Sequence, residues 1–548
     1  MTPSPVAITV VVLGLVYLAL RARIHFTQHR DEPPVILTSI PFLSPILGVL
    51  RRRYKLYLDL LHQYQLPIYT LRLPIARLYI VNDSSLIPVI ERQTKVIAFS
   101  PIQAEATANL LGMSEATNET LKRDPTSENG HFITFHHAVR PALAPGPGLD
   151  AMNSRSVDTL AASLANIRQH RVSTVSLFAW VQHEIIMATT DAEYGPFNPF
   201  RDPEFEQMWH QFESRVPILS SNALPTLLAP RALQAREFLA ARFAAYFRAG
   251  HHRTGGSGFL LARHAHGAER GLTPDDIARG ELGSCLAILN NTVAAAYWMV
   301  YHVFSDPVVL AACRAELEAV VVVVQVAGGG EGRGEREIDL DRVKFGCPVL
   351  VSTLQEVFRY RGIGTLIIRR VLEDHKLGGR WLLRKGGVVL MPNSVQHFDP
   401  RVWGADADLF DYRRFLKGGG GKGRKRTPAA FRIFGSGSTL CPGRHFANTE
   451  ILAFAALMIL QFDVVPKRGR QWGRPKTDSS FGMGVARVFL MPGSDFEVDL
   501  VARGPVDEQW RVLLTESKRA VQTMSEEMEA HEKMLCEQEK GEVRRESV

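Results

Sequence analysis

Residues 434–447 read FGSGSTLCPGRHFA, which sets Cys441 between a glycine- and serine-rich run and a Pro-Gly step. Glycine leaves the backbone free to turn tightly or take positive φ. Pro442 suits the first position of a helix, and the apolar run that follows keeps a helical texture to residue 462. Cys441 is therefore expected at a helix N-terminus, where free N–H groups and the helix dipole favour a thiolate. Gly437 and Gly443 would let a broad, flat ligand lie against the backbone. A thiolate under a flat cofactor is the arrangement of a haem-thiolate site, in which sulfur pushes electron density toward O–O cleavage. The plainer alternative is a buried free cysteine ahead of a helix, and the flanking glycines and proline argue against it.

The other cysteines, Cys285, Cys313, Cys347 and Cys536, show neither short regular spacing nor a CxxC pair. No disulfide framework or zinc site is expected. Glu356 and Arg359 stand three apart, a spacing that pairs charges on one helix face but also studs ordinary helices. Glycines 418, 420 and 423 fit GxGxxG formally, yet they follow no strand and open no helix, which excludes a dinucleotide site there.

The pattern Phe434-x-x-Gly437-x-x-x-Cys441-x-Gly443-Arg444 resembles the haem-binding signature of the cytochrome P450 superfamily. Glu356-Val-Phe-Arg359 looks like that family's ExxR element, and Arg414 in 410–415 (FDYRRF) like the third member of its salt-bridged triad. The resemblance spans about residues 30–503. It implies a mainly α fold with small β-sheets, haem b (iron protoporphyrin IX) on the Cys441 thiolate, and Phe434, Gly437 and Gly443 shaping its seat. Most members carry an acid before the threonine of the oxygen-activating helix. Here Asn291-Thr292 precedes Ala295 and Trp298, which with Thr439 looks like the branch of sterol 7α-hydroxylases and prostacyclin synthase. The expected WxxxR is replaced by His136-x-x-x-Arg140, so His136, Arg140 and Arg369 are the candidates for the haem propionates.

These residues must be positioned by the elements around them. Helical patterns dominate residues 154–249 and 273–324, short β-like runs follow 369, and helix resumes after 443. Ahead of this lies an uncharged run, residues 6–20 (VAITVVVLGLVYLAL), followed by Arg21, Arg23, His25 and Arg30. Fifteen residues rise about 22 Å as a helix, a little short of a bilayer core. Basic residues after the run, and none before it, predict a single-pass signal anchor with the rest of the chain in the cytosol, and the resemblance implies the endoplasmic reticulum membrane. The expected organisation is an anchor over 1–22, a basic, Pro-rich connector over 23–50 and a catalytic domain over 51–503. A charged tail, helical or disordered, then occupies 504–548, with Trp510 and Leu514 on weak heptad seams.

The 548 residues are 46% apolar and 22% charged, an ordinary globular balance that excludes a disordered chain or a collagen-like repeat. Residues 504–548 hold 7 basic and 11 acidic side chains, which leaves a net +12 on 1–503. That excess suits an acidic partner or an anionic membrane; nucleic acid is not expected, for lack of zinc-finger spacing or a base-reading helix. No flavin or nicotinamide domain fits in the chain, so the resemblance implies NADPH electrons delivered by a separate NADPH-cytochrome P450 reductase. Lys417, Lys422, Arg424, Lys425 and Arg426 would steer it.

The resemblance implies monooxygenation of a bulky lipophilic molecule such as a terpenoid, sterol or related secondary metabolite. Asn291 cannot ionise, but its amide can hold water and Thr292 can donate a proton. Residues 99–113, 287–292, 364–368 and 481–485 would line the pocket. The same branch includes an isomerase that rearranges a peroxide without reductant, which is the second expectation. A non-catalytic haem or lipid-binding membrane protein, or a scaffold acting through the tail, is the reading from another class.

Overall fold

The computed structural model describes residues 4–222, 224–325, 334–364, 367–416, 428–435, 437–467, 471–475, 477–478, 487–488 and 495–514. The basic cluster at 417–426, the pocket segment 481–485 and the tail from 515 lie outside the described residues.

Two strongly apolar helices occupy the centre because they are hydrophobic nearly all round, which only a core position satisfies. The helices that frame the site are α1 (Pro5–Thr27), α2 (His131–Leu143), α3 (Pro147–Arg168) and α4 (Leu177–Tyr194). They continue with α5 (Gly258–Glu269), α6 (Pro274–Phe304), α7 (Pro348–Arg361) and α8 (Arg444–Gln461). Helix α6 starts where the Thr273 side chain accepts from the Asp276 N–H, with Pro274 in the first turn and Asp275 and Asp276 facing the positive dipole end. Its second half and nearly all of α8 are buried. Helices α3 and α4 pack on α8 through Glu450, whose carboxylate accepts from Ser156 Oγ at 2.6 Å and Thr189 Oγ1 at 2.9 Å.

Beside this bundle lies a five-stranded sheet of β1 (Ile68–Arg72), β2 (Arg77–Val81), β3 (Ile97–Ala98), β4 (Ile368–Val371) and β5 (Val388–Leu390). The strand order is β1-β2-β5-β4-β3, with only β5 against β2 running parallel. The sheet carries Arg369 on β4 toward the bundle.

The joint between α7 and the following irregular segment is a buried charge cluster. Arg359 donates to both oxygens of Glu356, at 2.7 and 2.6 Å, and also to the carbonyls of His397, Ala407 and Leu409. Arg414 Nε reaches Glu356 Oε1 at 3.2 Å, and its other nitrogens hold the Trp403 carbonyl and Asp406. Glu356 and Arg359 are wholly buried.

The element bounds differ from the sequence reading in three places. Helix α1 runs on through Arg21, Arg23 and His25 to Thr27, because long basic side chains do not end a helix. The connector holds a helix, Leu43–Arg52, since Pro45 falls in its first turn, where no N–H is needed. Trp510–Leu513 is a strand parallel to Gly334–Asp339, so Trp510 and Leu514 form no helical seam. Arg168 ties this stretch to the domain by donating to the carbonyls of Arg503 and Pro505.

Glu356→Ala would leave Arg359 buried without its carboxylate and Arg414 with Asp406 alone. A loss of about 3–5 kcal/mol is expected in urea unfolding, against a small effect for exposed Arg140→Ala. Burial pushes Glu450 up to about 7, with the Ser156 and Thr189 hydroxyls pulling the other way. An acid raised in the folded state contributes stability below its unfolded pKa and loses it as pH rises through the folded value. Wild-type stability should therefore fall between about pH 4.5 and 7 by up to about 3 kcal/mol from this group, and Glu450→Gln should flatten that fall in pH-dependent melts.

Candidate active site

The loop ahead of α8 is shaped by its own backbone. The Cys441 N–H donates to the Phe434 carbonyl at 2.8 Å, closing residues 434–441 into a compact turn. Gly435 takes φ +77°, and a Cβ there would lie 2.9 Å from the Thr439 carbonyl oxygen, so this position requires glycine. The sequence reading named Gly437, which has φ +57° but open space around it. Gly435 lines the central cavity and Gly437 does not.

Cys441 sits farther from the helix than expected. Gly443 is the N-cap and Arg444 the first helical residue, so Pro442 precedes the helix instead of opening it. Burial pushes the Cys441 thiol up, while the N–H groups of Gly443 and Arg444 and the Arg444 guanidinium pull it down. The helix end does favour the thiolate, as the sequence suggested, but desolvation outweighs it for the bare side chain.

A cavity of about 310 Å³ separates this loop from α6. Cys441, Phe434 and Gly443 form one wall, and Asn291, Thr292 and Ala295 stand on α6. Thr292 Oγ1 donates to the Ile288 carbonyl at 2.9 Å, so it offers the cavity a lone pair first and a proton only after rotating. Trp298, two turns on from Asn291, lies outside this cavity and packs against Arg361, whose guanidinium is 3.5 Å from its ring centre.

Of the three propionate candidates, only Arg369 lines this cavity. It is buried, donates to Thr439 Oγ1 at 2.8 Å, and has no carboxylate within ion-pair distance among the described residues. Burial pushes its pKa down to about 10, with Glu91 opposing and Arg432 adding to the shift. His136 lines a neighbouring cavity of about 280 Å³ with Pro442, and its pKa is lowered by burial and by His137. Arg140 is exposed one turn farther along α2 and reaches neither cavity. Position 140 therefore does not join the site. Arg432, which the sequence reading missed, does line it and pairs with Glu91. Its only signal was an arginine two residues before Phe434.

Glu356, Arg359 and Arg414 do not line the central cavity, yet they connect to Cys441 in a short series of bonds. Arg359 holds the His397 carbonyl, the His397 ring accepts from the Arg432 N–H at 3.2 Å, and the Arg432 carbonyl accepts from the Gly435 N–H at 3.1 Å.

The donor set matches a metal that brings most of its own ligands. Among the described residues no group of three His, Cys, Asp or Glu side chains could hold a bare ion. A single sulfur, apolar neighbours and an uncompensated buried guanidinium fit a metallo-macrocycle with an acidic edge. Such a thiol facing a threonine-bearing core helix defines a haem-thiolate class of site.

A cytochrome P450 family model matches residues 228–490. The chain is 33% identical to cytochrome P450 monooxygenase nodJ of Hypoxylon pulicicidum, over 88% of this chain and 93% of that one. It is 30% identical to the cholesterol 7-alpha-monooxygenase of Cricetulus griseus, over 41% of this chain and 45% of that one. A retinoic acid-bound cyanobacterial CYP120A1 shares the fold with a TM-score of 0.62 at 17% identity, covering 86% of this chain and 99% of its own. The chain belongs to the cytochrome P450 family of haem-thiolate monooxygenases.

Arg369→Gln should lower the haem-to-protein ratio of purified enzyme several-fold by removing the uncompensated cation. Arg140→Gln should leave the ratio unchanged, and the pyridine haemochromogen assay reads both.

Proposed function

We propose that this chain inserts one oxygen atom of O2 into a bulky lipophilic small molecule, a terpenoid, sterol or related secondary metabolite. The observation that carries this reading is the placement of Cys441 and of the Asn291-Thr292 pair on the walls of one largely apolar cavity. Cys441 would hold haem b through its thiolate, with Arg369 and Arg432 as cations for its propionates, and the bound haem would supply the oxygen-activating chemistry. The protein's own part is to hold and deliver protons and to orient the substrate. Thr292 and Asn291 both line the cavity, and an amide such as that of Asn291 is able to hold a water there. Phe99, Phe259 and Ile367 give the walls an apolar surface suited to a lipid skeleton. Likeness to a cholesterol 7-alpha-monooxygenase over two-fifths of the chain supports a polycyclic substrate.

In this reading the two electrons come from NADPH through a separate NADPH-cytochrome P450 reductase. Helix α1 is exposed along its apolar length and is long enough to cross a membrane. With Arg21 and Arg23 behind the run, it anchors the enzyme in the endoplasmic reticulum membrane with the catalytic domain in the cytosol. That placement lets lipid substrates enter from the bilayer.

One observation favours a second reading. The helix turn at Asn291 carries no acid, and the Thr292 proton is committed to Ile288. A peroxide isomerase or dehydratase needs neither reductant nor external protons.

Mass spectrometry of lipid products formed under ¹⁸O2 separates the two. One ¹⁸O atom per product and a matching precursor one oxygen lighter are expected. A product of the same mass as its precursor, formed without NADPH, would overturn monooxygenation in favour of the isomerase.

A further inference from the structure

Glu193 is a buried acid on the wall of the same cavity, and the chemistry above gives it no task. It stands at the end of α4, is wholly buried, and shares the cavity lining with Thr292 and Cys441. Its surroundings form a cluster drawn from four segments. The guanidinium of Arg263 on α5 lies 2.6 Å from Glu193 Oε1 and 2.6 Å from Glu281 Oε2 on α6. Tyr194 donates to Glu281 Oε2 at 2.9 Å and its hydroxyl is 3.1 Å from Cys285 Sγ. The Ser257 hydroxyl donates to Glu193 Oε2 at 2.7 Å.

Two carboxyl groups thus share one guanidinium away from water. With both ionised the cluster carries a net negative charge, which a low-dielectric interior opposes, and one bound proton removes it. The two acids are not equivalent. Glu281 accepts two N–H bonds from Arg263 and the Tyr194 hydroxyl, a set that suits a carboxylate. Glu193 Oε1, although close to Arg263, receives no well-directed hydrogen bond. Burial is the main cause that pushes the Glu193 pKa up, with Glu281 adding to it and Arg263 and Ser257 opposing. Glu193 is the member suited to carry the proton, and it is the member that lines the cavity.

We propose that Glu193 is the acid that feeds protons to the oxygen-binding side of the cavity, in place of the side-chain acid absent at position 291. This rests on the monooxygenase reading. The cluster meets α6 at Cys285, seven residues or about 10 Å along the helix from Thr292, and Asn291, next to Thr292 in sequence, also lines the cavity. In this proposal a few waters would bridge that gap. Monooxygenation consumes RH, O2, two electrons and two protons and yields ROH and H2O. For each proton, the Glu193 O–H bond breaks to leave a carboxylate, and water carries the proton to the lone pair of Thr292 Oγ1. Thr292, on rotating away from the Ile288 carbonyl, passes a proton to the dioxygen being reduced. The Glu193 carboxylate regains its proton from solvent through the Ser257 hydroxyl, beside the partly exposed Gly255 and Gly256. The electrons come from the reductase.

The test uses haem-loaded full-length enzyme with reductase, NADPH and dioxygen, and no organic substrate. Under these conditions O2 either leaves as superoxide, which takes one electron and no proton, or as hydrogen peroxide, which takes two of each. Glu193→Gln should lower the ratio of peroxide to superoxide by about tenfold and remove a protonated-carboxyl C=O band from the infrared spectrum. Glu281→Gln, in the same cluster, should keep the ratio within about twofold and keep the band. Glu193→Asp, an acid one methylene shorter, should retain the band with an intermediate ratio, and it answers the question if the glutamine variant loses haem. Equal effects of Glu193→Gln and Glu281→Gln would show a merely structural cluster and overturn the proposal, as would a wild-type ratio in Glu193→Gln. Wild-type enzyme that accepts no electrons from NADPH would instead overturn the monooxygenase reading on which the proposal stands.

Discussion

The interaction on which the site depends is the buried carboxylate of Glu356, shared by Arg359 and Arg414. Net stability is a poor explanation for such a cluster, because desolvating three charges offsets much of their attraction. Its effect is geometric. Arg359 spends its remaining donors on three carbonyls of the irregular segment 397–409, and Arg414 fastens the same segment from its far end. A stretch with little regular structure is thereby fixed to α7. Through His397 and Arg432 that fixity extends to the Phe434–Cys441 turn, so the sulfur is placed by a charge cluster that never touches the cavity.

The other wall has a different logic. Helix α6 is long, capped at Thr273 and buried on most sides, so its middle turn is held rigidly opposite Cys441. Asn291 and Thr292 are held in place, but their chemistry is muted: one side chain cannot ionise and the other hydroxyl is bonded within the helix. Protons needed in the cavity must come from outside that turn. The interior around α6 is rich in buried acids, Glu193, Glu281 and Glu450, each held by hydroxyl or guanidinium donors from neighbouring segments.

Much of this was legible in the sequence where chemistry is local. The Cys441 turn, the pairing of Glu356 with Arg359 three residues on, and the helical texture of α6 and α8 all follow from short spacings. Features that failed to show depend on distant partners. Arg432 matters because Glu91 and His397 meet it from two other parts of the chain, and Glu193 because Arg263 and Ser257 fold back onto α4. Trp510 reads as a heptad residue until Arg336 and its strand supply a pairing edge more than a hundred residues away. Arg140 shows the converse, since its four-residue spacing from His136 fitted a motif while the turn of α2 carried it to the surface. Gly435 and Gly437 could not be ranked without backbone angles.

The central claim is that Cys441 is the sulfur ligand of the haem. The most direct measurement is the absorption spectrum of the reduced enzyme under carbon monoxide, for wild type and for Cys441→Ser and Cys441→His. Wild type should show the long-wavelength Soret band of a thiolate opposite carbon monoxide, and both variants should lose it for a band at shorter wavelength. Retention of the thiolate band in Cys441→Ser, with haem still bound, would contradict the assignment and place the ligand elsewhere in the chain.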